Sequence, residues 1–280
     1  MTNHIADSSE LGKKSPYEHQ YNPQKLFPIS RRIRREELGL GDKLPFTGYD
    51  IWNHFEVSWL NPKGKPIAAI AEIIYSADSS HIIESKSMKL YFNSLNNTIF
   101  ENVKTVEETV SRDLSARLNA SMVHITITLI KDFKPQLLHT RFEGHSLDEL
   151  DITCSQYHTD ESTLFTESAE IVEETLCSDL LKSNCLVTNQ PDWCSIQIHY
   201  QGKKINHEGL LKYLVSFRND NEFHEQCIEK VFTHILKYCT PNTLTVYGRS
   251  TRRGGVDINA FRSTQNIPLR DIPNIRLCRQ

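Results

Sequence analysis

The 280-residue sequence lacks several features that mark common protein classes. It contains no apolar run near the roughly 20 residues that a membrane helix needs. Its polar opening, residues 1–7, has neither the basic nor the apolar segment of a signal peptide. The Gly-x-Gly-x-x-Gly and P-loop motifs are also absent, so a nucleotide would not be held in the Rossmann or Walker manner. We therefore predict a cytoplasmic protein that makes no use of a membrane.

The sequence is also poor in metal-binding and disulfide patterns. Its seven cysteines are an odd number, and no two of them form a Cys-x-x-Cys pair. This spacing argues against a disulfide framework and against a zinc-ribbon site. The twelve histidines include no His-Glu-x-x-His motif. We predict no metal, although ligands that only folding brings together lie outside this argument.

The sequence also lacks an excess of positive charge. The formal net charge is -3, so no overall basic field favours nucleic acid, and we predict no direct nucleic-acid partner. Four arginines fall within residues 31–35, which is too few to change that conclusion. We interpret this run as a solvated face of an N-terminal arm that covers residues 1–45.

The rest of the chain shows one order of elements twice. The first copy is predicted to hold two strands, two helices and a strand, at residues 51–60, 67–75, 85–96, 106–118 and 123–129. The second copy is predicted to hold a strand, two helices and a strand, at residues 195–200, 209–218, 223–238 and 244–247. The pattern predicts an α+β fold of two tandem modules, residues 46–150 and 151–280. Each is an antiparallel sheet with two helices on one face.

Cys185 and Asp192 form a candidate catalytic pair in one short stretch of the second module. A cysteine attacks as its thiolate, and a nearby carboxyl group can protonate the product atom, so the two residues suit covalent catalysis. The alternative is structural, because cysteine is among the most buried residue types and an aspartate is common in turns.

His224 and Glu225 lie in the first turn of a predicted helix, off its apolar stripe. A carboxylate accepts two N–H donors side by side, which suits the amino-pyrimidinone edge of a guanine-like base. The alternative role of Glu225 is to stabilise the helix N-terminus.

Two further segments could bind the phosphates of a dinucleotide. Ser85 and Lys86 open a predicted helix after Glu84, where unpaired N–H groups attract anions. Glu84 itself is either a neighbour of the helix N-cap or a ligand carboxylate. Arg253 and Gly254 combine a guanidinium group with a residue that allows close backbone approach. An ordinary turn with solvated arginines is the alternative for the second segment.

Taken together, these motifs resemble the NADPH-dependent 7-cyano-7-deazaguanine (preQ0) reductases, the nitrile reductases of queuosine biosynthesis, in their long two-module form. The resemblance covers nearly the whole chain and includes residues 44–46, 50–52, 59–61, 83–87, 89–91, 181–193, 216–218, 221–227 and 251–259. It implies the tunnelling fold (T-fold), which this family shares with GTP cyclohydrolase I. It further implies a homodimer and one competent site per chain, assembled from both modules.

The resemblance also implies roles for the candidate residues. Cys185 would form a covalent thioimide with the nitrile, and Asp192 would protonate its nitrogen. The deazaguanine base would be held by Ile82, Ile83, Glu84, His224 and Glu225. NADPH would be held by Ser85, Lys86, Arg253 and Gly254. Two NADPH would then reduce each nitrile to an aminomethyl group.

One residue departs from the family pattern, because Cys194 follows Trp193 where the resemblance implies glycine. We interpret Cys194 as a buried bystander, and the alternative is a partner that makes Cys185 easier to oxidise. Two other functional classes stay open. A cyclohydrolase-like enzyme would need a Cys/His metal set, and a non-catalytic purine- or pterin-binding module would need Glu84 and Glu225 but neither Cys185 nor Asp192.

Overall fold

The computed structural model describes residues 20–280, so residues 1–19 of the predicted arm lie outside the described part. The strands are β1 Pro28–Ser30, β2 Thr47–Leu60, β3 Pro66–Ser76, β4 His81–Ile83, β5 Val123–Leu129, β6 Leu138–His139, β7 His145–Ser146, β8 Thr166–Asn184, β9 Pro191–Ile205, β10 Thr243–Ser250, β11 Val256–Ser263 and β12 Arg276–Leu277. The α-helices are α1 Arg32–Glu37, α2 Ser85–Leu95, α3 Val103–Leu118, α4 His207–Ser216 and α5 His224–Cys239.

The described chain divides into two compact units by its internal contacts. The first unit contains residues 20–36 together with Asp50–Pro135 and Arg252–Asp257. The second unit contains Glu37–Tyr49, Gln136–Thr251 and Ile258–Gln280. The module boundaries drawn from the sequence, 46–150 and 151–280, stay a prediction.

The first unit is built on the neighbouring strands β2, β3 and β5, of which β3 and β5 run antiparallel. The turn between β2 and β3 is closed by Asn61, whose side chain accepts from the backbone N–H groups of Lys63 and Lys65 at 2.9 and 3.0 Å. A second, two-stranded antiparallel sheet pairs β1 with β4.

Helix α3 shows why its sequence forms a helix at this place. Asn102 caps its N-terminus by accepting from the backbone N–H of Thr105 at 3.1 Å, and Asn119 ends it in the left-handed conformation with a φ of 49°. Apolar residues recur on one face and are fully buried, namely Val106, Val110, Leu114 and Leu118. Burial of this stripe stabilises the packing of α3 in the first unit.

The second unit is built on the antiparallel strands β8, β9, β10 and β11, and β7 adds a parallel pairing to β8. Helix α4 begins after Asn206, which caps it by accepting from the backbone N–H of Gly209 at 2.8 Å. The predicted apolar stripe of α5 is buried at Cys227, Val231 and Ile235. The predicted fold class, α+β with two modules of antiparallel strands and helices, is confirmed.

Strands β8 and β11 were not among the predicted elements. The first half of β8 is largely exposed, so its polar residues show no apolar alternation. All eight residues of β11 are buried although several are polar. One of these, Arg262, is fully buried and pairs with Glu229 at 2.9 Å. Hydropathy alone therefore does not detect either strand.

The interpretation of residues 31–35 as a solvated face is wrong for two of the four arginines. Arg31 is 1% exposed; it forms an ion pair with Asp50 and donates to Ser79 Oγ at 3.1 Å. Arg35 is 8% exposed and donates to the carbonyl oxygen of Ala77 at 2.6 Å. A guanidinium group can be buried when its N–H donors find acceptors in this way.

Three findings apply to residues 20–280. No group of three or more His, Cys, Asp and Glu side chains is placed to hold a metal ion. No helix there has the length and apolar character required to cross a bilayer. The seven cysteines form no disulfide with one another.

Candidate active site

Cys185 and Asp192 lie at the same end of the β8–β9 hairpin, in the second unit. Cys185 follows the last residue of β8, and Asp192 is the second residue of β9, where it pairs with Ser183. Both side chains are buried, with exposures of 5% for Cys185 and 6% for Asp192. The hairpin therefore brings a thiol and a carboxyl group into one region that is shielded from water.

The loop that carries Cys185 is fixed by its backbone. The N–H of Cys185 donates to the carbonyl oxygen of Gln190 at 2.8 Å, and the N–H of Asn189 donates to the carbonyl oxygen of Cys185 at 3.1 Å. Asn189 adopts a φ of 53°, which asparagine tolerates better than most residues. The side chain of Asn221 donates to the carbonyl oxygen of Cys185 at 3.0 Å. These bonds hold the thiol on a defined turn.

His224 lies beside Asp192. It is the first residue of α5, and its Nε2 is 3.8 Å from Asp192 Oδ1. Its other ring nitrogen, Nδ1, lies 2.8 Å from Ser250 Oγ, at the end of β10. Both ring nitrogens of His224 therefore face polar groups, which orients the imidazole toward the candidate acid.

Glu225 follows in the same helix turn and is only 2% exposed. Phe223 precedes the helix and makes no side-chain cap. Glu225 is the acidic residue of the first turn, where the helix dipole favours a negative charge. A buried carboxylate at this place could accept from N–H donors of a ligand. Both the binding role and the structural role of Glu225 agree with this position.

The Cys194 thiol is buried in strand β9, where Cys194 directly follows Trp193. It is 7% exposed, and burial raises its pKa to about 12. Its partner across the sheet is Ser250, and its Sγ lies 3.3 Å from the carbonyl oxygen of Ser195. A thiol with so high a pKa stays protonated near neutral pH and is a poor nucleophile, which favours the bystander interpretation of Cys194.

Ile82, Ile83 and Glu84 lie in the first unit, next to strand β1. Ile82 pairs with Ile29 and Ile83 pairs with Pro28, while the N–H of Glu84 donates to the carbonyl oxygen of Phe27 at 3.0 Å. The exposures of the three predicted residues are 1%, 2% and 0%. The segment around residues 27–30 therefore fixes the backbone of this predicted binding segment.

The N-terminus of α2 differs from the predicted anion site in one respect. Glu84 accepts from the backbone N–H groups of Lys86 and Ser87, at 2.7 and 2.8 Å. The prediction that N–H groups at this helix end are free is therefore wrong for those two. The glutamate side chain is long enough to fold back over the first turn, as the alternative role of Glu84 at the helix cap requires. Burial raises the pKa of Glu84 above its ordinary value.

The predicted dinucleotide residues all belong to the first unit. Ser85 and Lys86 open α2 and are partly exposed, as is Arg253. Gly254 has a φ of 60°, and a Cβ added there would lie 3.0 Å from Nζ of Lys89, one turn further along α2. Gly254 and the start of α2 are thus close together, in a region with several basic side chains.

The structure groups Cys185, Asp192, His224 and Glu225 in the second unit, and it groups the remaining predicted residues in the first. It also reveals two contacts that the motif analysis missed, Ser250 with His224 and Asn221 with the Cys185 loop. Both residues are separated from their partners along the chain, so no local spacing signals them.

Comparison with known families gives the class of the protein. The family described as "Nitrile reductase, 7-cyano-7-deazaguanine-reductase N-term" matches residues 17–127. The family described as "QueF-like protein" matches residues 191–268. The two matches fall on the first and second halves of the chain and define a nitrile reductase of two modules.

Individual relatives give the particular family. Proteins named NADPH-dependent 7-cyano-7-deazaguanine reductase are 58% identical in Legionella pneumophila (strain Lens), 52% in Paraburkholderia phytofirmans and 50% in Dechloromonas aromatica. The matches cover 98% to 100% of this chain and 96% to 99% of those proteins. The chain belongs to the family of NADPH-dependent 7-cyano-7-deazaguanine reductases, and the resemblance drawn from its motifs is confirmed.

Proposed function

We propose that this chain reduces the nitrile of 7-cyano-7-deazaguanine to an aminomethyl group with NADPH, in the biosynthesis of queuosine. The observation that carries the proposal is the placement of Cys185 and Asp192 at one end of the β8–β9 hairpin, with His224 next to the acid. The names of relatives that match along the full chain support the same activity.

The chemistry begins at Cys185. Its thiolate sulfur forms a bond to the nitrile carbon, and one π pair of the carbon–nitrogen triple bond moves to the nitrogen. Asp192 gives its proton to that nitrogen and becomes a carboxylate, so the product is a neutral thioimide. Burial of both groups keeps water from competing for the thioimide.

The first unit fits a phosphate-bearing cofactor. Gly254 offers a backbone without a Cβ against Lys89, and Lys86 and Arg253 add positive charge that suits phosphate. We assign NADPH to Ser85, Lys86, Arg253 and Gly254. The chemistry that NADPH supplies when bound is hydride transfer, once for each of the two reductions.

The base is recognised by groups that match its edges. In this proposal Glu225 accepts from the amino-pyrimidinone edge, since a carboxylate can take two adjacent N–H donors. His224 contributes a ring next to the acid. The roles of Ile82, Ile83 and Glu84 in holding the base follow from the family resemblance and stay predictions.

The experiment that tests this function follows NADPH absorbance in purified protein mixed with 7-cyano-7-deazaguanine, beside intact-mass analysis of the mixture without NADPH. We expect two NADPH to be consumed for each aminomethyl product, and a protein mass increased by one substrate molecule. Cys185→Ala should show neither effect.

Cys278→Ala is the matched control, because Cys278 is an exposed cysteine of the same unit. It should behave as the unaltered protein does. A folded protein that binds the base, forms no adduct and oxidises no NADPH would contradict the mechanism and favour the non-catalytic binding module.

A homodimer, a location in the cytoplasm and the absence of a nucleic-acid partner also stay predictions. Sedimentation of the purified protein over a range of concentrations would test the homodimer. A mass of one chain, about 32.3 kDa, throughout that range would contradict it.

A further inference from the structure

The side chain of Gln280 is enclosed in the second unit and uses every hydrogen-bonding position of its amide. Its exposure is 9%. Nε2 donates to the carbonyl oxygen of Ser250 at 3.1 Å and to Asn259 Oδ1 at 2.9 Å. Oε1 accepts from Nε of Arg249 at 2.8 Å and from the backbone N–H of Leu277 at 3.1 Å. Two donors and two acceptor positions are thus all occupied.

These contacts converge on the end of strand β10. Arg249 and Ser250 are its last two residues, and Asn259 is the partner of Arg249 on β11. All three are nearly inaccessible to solvent, with exposures of 2%, 2% and 0%. One amide therefore ties the closing residues of β10 to β11.

Ser250 is also the residue that contacts His224. Its carbonyl oxygen accepts from Gln280, while its hydroxyl lies 2.8 Å from Nδ1 of His224. Nε2 of the same imidazole lies 3.8 Å from Asp192 Oδ1. A continuous series of contacts within the second unit thus leads from Gln280 through Ser250 and His224 to the candidate acid.

We propose that Gln280 is a positioning residue for His224, which it holds through the backbone of Ser250. The effect of Gln280 on catalysis rests on the proposed function, whereas its effect on the position of His224 does not. Gln280 fixes the carbonyl group of Ser250, and this sets the direction of the Ser250 hydroxyl. The hydroxyl then holds Nδ1 of His224, so that Nε2 faces Asp192 while the acid protonates the nitrile nitrogen.

The chemistry at residue 280 requires an amide. A glutamate would keep the acceptor for Arg249 but would offer no donor, and its charge would oppose the carbonyl oxygen of Ser250. A methionine has similar length and no strong hydrogen-bonding group, so it removes the network with little change of volume.

The first measurement is the rate of adduct formation on Cys185 in the absence of NADPH. In Gln280→Met all four bonds of the amide are lost, and the one that reaches His224 is the bond to the carbonyl oxygen of Ser250. Loss of that single bond should lower the adduct rate by between about twofold and tenfold. The circular dichroism spectrum should not change, because methionine replaces glutamine with little change of volume. A general loss of structure would alter both quantities.

A double-mutant cycle tests whether Gln280 acts through Ser250. Ser250→Ala removes the hydroxyl and leaves the carbonyl group in place. If the proposal is right, adding Gln280→Met to Ser250→Ala lowers the adduct rate no further, since the contact it serves is already lost. Independent losses that multiply in the double variant would overturn the proposal.

A spectroscopic readout separates this proposal from the proposed function. Nitrogen-15 labelling of histidine reports the hydrogen bonding of Nδ1 of His224, which Gln280→Met and Gln280→Glu should both change and Cys278→Ala should not. The His224 signal can be read whether or not the protein reduces a nitrile. Unchanged His224 signals in both Gln280 variants would overturn the positioning role, and failure of the unaltered protein to form an adduct would instead overturn the proposed function.

Discussion

The carboxylate of Glu84 accepts a hydrogen bond from the backbone N–H of Lys86 at 2.7 Å, and this contact makes Glu84 the cap of helix α2. The second carboxylate oxygen accepts from Ser87 in the same way. A residue assigned to the substrate therefore also stabilises the helix that follows it. The two roles predict different outcomes for different substitutions.

Glu84→Ala and Glu84→Asp distinguish the two roles. Alanine removes the cap, so the free energy of unfolding should fall by about 1 kcal/mol, whereas aspartate is itself a favoured cap and should restore most of it. If the carboxylate also binds the base, aspartate is too short to reach it, and the KM for 7-cyano-7-deazaguanine rises in both variants. Urea unfolding and steady-state kinetics measure the two effects. An unchanged KM in both would leave Glu84 with the capping role alone.

The buried ring of His54 should make the free energy of unfolding depend on pH. Burial, helped by the charge of Lys89, lowers its pKa to about 3, and its Nε2 has no hydrogen-bond partner among the described residues. The folded state thus favours the neutral ring, so the contribution to stability is complete above the unfolded pKa of 6.5 and is lost as the pH falls toward 3. Between pH 7.5 and pH 5 the unaltered protein should lose about 2 kcal/mol more than His54→Asn, which has no titrating ring.

The measurement is urea unfolding of both proteins at the two pH values. The ring of His54 packs on Phe92, with centroids 4.5 Å apart, so His54→Asn is expected to be less stable at either pH. Only the difference between the two pH values tests the titration. Equal losses in the two proteins would show that the His54 pKa is not lowered on folding.

Local patterns in the sequence were enough to predict most of the helices and several strands. The stripe of α3 and the alternation in β5 occur over short distances, and the observed β5 has the predicted bounds, Val123–Leu129. Strand β11 was missed because its buried polar residues are paired with groups far away along the chain, such as Arg262 with Glu229. A hydropathy pattern contains no information about such partners.

The same distinction applies to the candidate site. The motifs identified Cys185, Asp192 and His224, whose types suggest chemistry. They did not identify Ser250 or Gln280, because serine and glutamine occur everywhere on protein surfaces and gain significance here only from burial beside His224 and β10. The sequence left Glu84 open between a position at the helix cap and a ligand carboxylate, because a carboxylate before a helix can point toward a ligand or back to the backbone.

Cys194 should be inert in the native protein. Its pKa of about 12 leaves almost no thiolate at pH 8, whereas the exposed Cys278 is open to reagents. Brief treatment with iodoacetamide followed by peptide mass analysis should label Cys278 and leave Cys194 unmodified. Labelling of both in urea serves as the control for reagent access. Equal labelling in the native protein would contradict the bystander interpretation.

Removing one partner of the buried ion pair of Arg262 and Glu229 should strongly destabilise the protein, because the other partner is then left buried without it. Nη2 and Nε of Arg262 lie 2.9 and 3.2 Å from Glu229 Oε1, and the side chains are 0% and 2% exposed. Glu229→Ala leaves the guanidinium group buried without its carboxylate, so the free energy of unfolding should fall by about 3 to 5 kcal/mol. Glu229→Gln retains an acceptor oxygen and should lose less, since only the charge is removed.

The exposed pair of Lys104 and Glu108 is the matched control, with 3.7 Å between its charged atoms and side-chain exposures of 81% and 67%. Glu108→Ala should change the free energy of unfolding by less than about 1 kcal/mol, because water and salt screen the interaction. Urea unfolding of the three variants at low and at high salt measures both effects. Burial is what makes an unpaired charge costly, so the loss in free energy of unfolding should be larger for Glu229→Ala than for Glu108→Ala. A salt-dependent loss in Glu108→Ala together with a small, salt-independent loss in Glu229→Ala would contradict this order.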